Sequence, residues 1–116
     1  MSERTQKINV YAIRRAILTA LYEYANPQSF GTLLVNHALL LAVAGGRLRL
    51  TNEDIQDIRT EWNYLLSKGY LVAIEGYDDY AKLSADVRSK LDAWDKLTAP
   101  CPLAGDERLY GPEALR

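Results

Sequence analysis

Three carboxylates, Glu53, Asp54 and Asp57, fall within one short stretch of the 116-residue chain, at the start of a segment that reads as a helix. Acid–base or metal chemistry would require them to converge with other ligands. The chain has one histidine, His37, and one cysteine, Cys101, so neither a metal set nor a thiol–imidazole dyad can be assembled by spacing. His37 sits among leucines with no ligand-spaced partner and reads as a packed or interfacial histidine. Cys101, between Pro100 and Pro102, reads as an exposed loop thiol with no adjacent cation to lower its pKa. No glycine-rich phosphate loop or nucleophile elbow is present. Carboxylates crowd a helix start for electrostatic reasons alone, since the peptide dipoles leave partial positive charge there. The expectation is a non-enzyme with no catalytic residue, no metal and no cofactor.

The elements that would position any other chemistry follow from periodicity. Val10, Ile13, Ile17, Leu21 and Tyr24 recur at three- and four-residue steps, predicting a first helix over 8–25 that ends before Pro27. A second stripe of Tyr11, Leu18 and Tyr22 lies beside the first. Residues 31–44 predict a second helix that is apolar nearly all round, stopped by Gly45-Gly46. Arg47-Leu48-Arg49-Leu50 alternates charged and apolar residues like a short half-exposed strand. Thr51 can cap a third helix whose buried stripe is Ile55, Ile58, Trp62, Leu65 and Leu66, and Gly69 can stop it. Residues 70–75 and 80–83 read as hairpin strands around Gly76-Tyr77-Asp78-Asp79. Ser84 can cap a fourth helix over 85–97, with Val87, Leu91 and Trp94 as its apolar stripe.

This order predicts an α+β, mostly helical fold. Leu65-Leu66-Ser67-Lys68-Gly69-Tyr70-Leu71, followed by Tyr80-Ala81-Lys82-Leu83-Ser84, resembles the end of the third helix and the wing of the winged helix-turn-helix superfamily. The resemblance covers 8–84. It implies three helices, a β-hairpin wing and a short third strand, here with an added C-terminal helix. Within the superfamily, Gly46-Arg47-Leu48-Arg49-Leu50-Thr51 is similar to the step before the third helix in small proteins of Mu-like prophages. The chain then divides into a winged-helix domain over 1–97 and an extended or partly disordered tail over 98–116, where Pro100, Pro102, Gly105, Gly111 and Pro112 interrupt any element.

The resemblance implies a third helix placed in a DNA major groove. Opposite its buried stripe lie Glu53, Gln56, Asp57, Thr60, Asn63, Tyr64 and Ser67. Gln56 and Asn63 have the donor–acceptor pair that reads adenine, and the Thr60 methyl suits thymine. Arg47 and Arg49, on one strand face, and Lys82, on the wing, could hold phosphates. Glu53, Asp57, Asp78 and Asp79 oppose that reading. Lys plus Arg is 14 against 15 Asp plus Glu, so general attraction to polyanions is not encoded. The expectation is weak or partner-dependent binding of double-stranded DNA by a phage- or prophage-type regulatory accessory factor.

The competing reading is a protein-interaction adaptor that binds no DNA. Tyr11, Leu18, Tyr22, Leu33, His37 and Leu40 offer apolar surface for a homodimer or for a phage or host protein. The alternative for those residues is cover by the fourth helix. The longest apolar run, 38–44, is far shorter than the about 20 residues that cross a bilayer, and the N-terminal segment lacks the uncharged core of a signal peptide. A cytoplasmic protein with no membrane association is expected.

Overall fold

The computed structural model describes residues 8–23, 27–35, 50–95 and 101–104. These form α1 (Val10–Glu23), β1 (Gln28–Ser29), α2 (Phe30–Val35), α3 (Asn52–Ser67), β2 (Leu71–Ala73), β3 (Tyr80–Leu83) and α4 (Ala85–Asp92). The fold is α+β and mostly helical, with one three-stranded antiparallel sheet in the order β1-β3-β2. None of the described helices is long and apolar enough to cross a membrane.

Local chemistry sets most element ends. Asn9 caps α1, its Oδ1 accepting from the backbone N–H groups of Tyr11 at 2.8 Å and Ala12 at 3.1 Å. Ser29 caps α2, its Oγ accepting from Thr32 N at 3.0 Å. Thr51 and Asp54 form a reciprocal capping box on α3: Asp54 N donates to Thr51 Oγ1 at 3.1 Å, and Thr51 N donates to Asp54 Oδ2 at 2.9 Å. The box gives the buried Asp54 carboxylate a backbone N–H partner. At the other end of α3, Gly69 (φ 77) lets its N–H reach Leu66 O and lets Tyr70 N reach Leu65 O, both at 3.0 Å. That pair of bonds satisfies carbonyls that the last helical turn would otherwise leave open. Ser84 Oγ caps α4 by accepting from Val87 N at 3.2 Å.

The hairpin register pairs Leu71 with Leu83, Val72 with Lys82 and Ala73 with Ala81. Leu71, Ala81 and Leu83 are buried, so one sheet face closes the core. Trp62 is its largest fully buried side chain and meets Phe30 edge to face at 5.5 Å. Val87 and Leu91 of α4 join the same core, while Trp94, beyond the helix end, is half-buried against it.

Some expectations change, and others fall outside the described residues. The third strand is Gln28–Ser29, between α1 and α2 and paired with Ala81 and Tyr80, where the sequence suggested only a helix-ending turn. Backbone pairing with a distant strand outweighs the weak strand preference of the two residues. The expected strand at 47–50 lies outside the described residues up to Arg49, and Leu50 is not in a strand. The second helix is described only to Val35, and residues 36–44 lie outside. The C-terminal helix ends at Asp92 rather than 97, with Ala93 as its C-cap.

The tail is not wholly extended. Residues 101–104 form a turn in which Cys101 is 2% exposed and Ala104 is fully buried, so Cys101 is a packed thiol and not an exposed one. Leu18 and Leu33 also belong to the core, Leu33 at 1% exposure, which corrects their place among interface candidates. Helix α1 packs on α3 and β3 together, and that double contact buries a wider arc than one stripe.

Candidate functional site

The exposed arc of α3 is created by its buried one. With Ile58, Trp62 and Leu65 turned into the core, Gln56, Thr60 and Asn63 stand exposed on the helix. The Thr60 hydroxyl donates to Gln56 O at 3.0 Å, a bond to its own helix backbone that commits its proton. Lys82 is exposed on β3, on the same strand face as Tyr80. Arg47 and Arg49 lie outside the described residues, as do His37 and Leu40.

The hairpin turn is held against α3 by a residue that sequence reasoning passed over, Arg59. Its guanidinium makes two bonds to the Asp79 carboxylate, at 3.1 and 3.0 Å, and stacks over Phe30 at 3.9 Å. The Asp79 carbonyl accepts from Phe30 N at 2.9 Å, and its φ of 60 is a left-handed turn conformation. Arg59 thus ties α3, the start of α2 and the hairpin together. Its hydrogen bond and charge hold the Asp79 carboxyl below the usual aspartate value. The available signal was its place between buried Ile58 and the Trp62 turn, a boundary position where a long cationic stem lies along apolar surface.

Between α3 and the hairpin runs a groove of about 320 Å³. Trp62, Asn63 and Leu66 line it from the helix; Ala73, Asp78 and Tyr80 line it from the hairpin. Tyr77 and Tyr80 meet edge to face at 5.7 Å on the hairpin, Tyr77 being 64% exposed. Among the described residues, Asn63 is the one sequence candidate that lines the groove.

Most cations near the body are engaged internally. Arg14 donates from Nε to Glu61 Oε1 at 2.7 Å, stacks over Tyr64 at 4.0 Å and reaches Ala104 O at 3.5 Å. Arg88 bonds Tyr22 O at 3.3 Å and Leu21 O at 3.4 Å, closing carbonyls at the end of α1. Lys90 pairs with Asp86 at 2.8 Å, Arg15 lies over Trp94 and Lys68 over Tyr64. Among the described residues, Lys82 alone of the cations makes neither an ion pair nor a ring contact.

The second α1 stripe is partly covered from within. The Tyr22 hydroxyl bonds Asp92 of α4, which raises its pKa, and Arg88 lies over its ring at 5.3 Å. Tyr11 is half-buried beside Arg14. At the described end of α2, Val35 stands 79% exposed. Among the described residues no group of histidine, cysteine or carboxylate side chains could hold a metal ion. Comparison of the chain with protein-family models, curated proteins and solved structures gives no match.

Proposed function

We propose that the chain is a winged helix, with the β2–β3 hairpin as its wing, acting as a small phage- or prophage-type regulatory accessory factor. It binds DNA weakly, or only beside a protein partner. The carrying observation is the exposed arc of Gln56, Thr60 and Asn63 on α3, next to the hairpin. The strand order supports the scaffold, since β1 precedes α2 and lies against β3 of a hairpin that directly follows α3.

Charge is the reason for weakness or dependence. The described residues carry seven basic side chains against eleven acidic ones, and most of the basic ones are engaged. Each phosphate neutralised by a cation adds counterion-release free energy; among the described residues the unengaged cation is Lys82, to which the sequence candidates Arg47 and Arg49 are added. Anisotropy titration against mixed-sequence duplex DNA at low and moderate salt tests this. The expected result is weak binding with a salt slope that falls by about 2 in the Arg47→Ala, Arg49→Ala variant. No binding at low salt refutes direct binding and leaves only the reading beside a partner.

The second reading is an adaptor that uses the same scaffold for protein alone. Exposed Tyr77 and Asp78, which makes no ion pair among the described residues, favour it, since they suit a protein surface better than a phosphate backbone. In either reading a homodimer forms through the apolar 31–44 stretch of the sequence, where Val35 is exposed, together with Tyr11 and Tyr22 of α1.

A further inference from the structure

We propose that the groove between α3 and the β2–β3 hairpin seats an extended, arginine-bearing segment of a partner protein. This rests on the partner-dependent reading above and gives that partner a chemistry.

The groove has an apolar floor and an acidic, aromatic rim. Trp62, Leu66 and Ala73 supply apolar wall, while Tyr77 and Tyr80 present rings that are 64% and 39% exposed. A ring face attracts a cation through its quadrupole, and a planar guanidinium can stack there while donating to a carboxylate. Glu75 and Asp78 are exposed and make no ion pair among the described residues, whereas Asp79 is neutralised by Arg59. The free charge beside the rings is therefore negative. It attracts an arginine and repels a phosphate backbone, which favours a peptide over nucleic acid at this groove.

The backbone of β2 supplies the second half of the fit. Among the described residues, the sheet order leaves β2 at an edge. Ser84 N donates to Tyr70 O at 3.0 Å and Ile74 N to Tyr80 O at 3.1 Å, so residues 70 and 74 turn their bonding groups toward β3. Antiparallel alternation then turns the N–H and C=O of Leu71 and Ala73 the other way. Ala73 lines the groove, so an extended chain beside it gains main-chain hydrogen bonds as its side chains reach the rings.

The test probe is a fluorescein-labelled peptide of three Val-Arg units, titrated into the full chain alongside its Val-Glu counterpart and mixed-sequence duplex DNA. The Val-Arg peptide should bind, with amide shift changes concentrated at Ala73 and at residues 76–80. The Tyr77→Ala, Asp78→Lys variant, altered only at exposed positions, should keep its unfolding midpoint and bind the peptide about tenfold more weakly. No binding, equal binding of the Val-Glu peptide, or shift changes elsewhere overturns the proposal. So does duplex DNA that displaces the peptide from these residues. DNA binding without peptide binding removes the groove proposal and leaves the DNA reading. Peptide binding without DNA binding does the reverse.

Discussion

Glu61 and Arg14 decide how much of this fold's charge is structural. Their side chains are 9% and 18% exposed, and the Nε–Oε1 separation is 2.7 Å. Removing one member of a buried pair leaves the other desolvated and costs about 3–5 kcal/mol when burial is complete. Arg14 keeps some solvent access, so Glu61→Leu should cost about 2 kcal/mol. Arg14→Met strands the more buried Glu61 and also removes the stacking on Tyr64, for about 3 kcal/mol. The double variant removes both charges and strands neither. It should cost about 2 kcal/mol, the residue of lost stacking and of the bond to Ala104 O, giving a coupling near 3 kcal/mol. Urea unfolding at constant slope measures all three. Single variants within about 1 kcal/mol of the parent, or an additive double variant, would show a pair no stronger than an exposed one and refute the reasoning. Arg14→Met should also leave the salt slope of DNA binding unchanged, because this cation is already committed.

Two other outcomes are expected. The Asp79 carboxyl titrates below its ordinary value of 3.8 because Arg59 favours the ionised form, so the tie is complete at neutral pH and is lost as pH falls through that depressed value. In Arg59→Gln the Asp79 titration followed by NMR should move back up, and an unmoved titration would exclude Arg59 as the cause. Light scattering should give a mass twice that of the chain; a monomer at high concentration ends the dimer proposal.

What could be read along the chain was local. Thr51, Gly69 and Ser84 act within a few residues of themselves, through caps and a left-handed turn, and the structure has each where its chemistry required. The misreadings involve partners far away in sequence. Nothing beside Arg14 in the sequence marks its partner, because Glu61 is 47 residues distant. Gln28 and Ser29 looked like a turn because nothing near them announces a strand pairing with residues 80 and 81. Leu18 looked surplus because one stripe usually suffices, but α1 is packed by both a helix and a strand. The exposure of Gln56, Thr60 and Asn63 followed from helical spacing, whereas the groove beside Asn63 depends on the hairpin's approach to α3. That approach is held by Arg59 and Asp79, which spacing does not connect.

The same arginines explain why the functional reading turns on so few residues. Arg14 pins α1 to α3, Arg59 pins the hairpin to α3, and Arg88 closes the end of α1 from α4. Each lies near a ring: Tyr64, Phe30 and Tyr22 respectively. A cation stacked on an aromatic and bonded to carboxylates or carbonyls stabilises contacts between elements, and it is then poorly placed to meet a phosphate. Near-neutral composition thus hides a division of labour in which arginine supports the scaffold while exposed carboxylates remain on the hairpin. Among the described residues, Lys82 alone carries a cation that neither an ion pair nor a ring engages. The hairpin rim has the opposite sign, so a cationic partner segment there would also cancel the charge that keeps a duplex away.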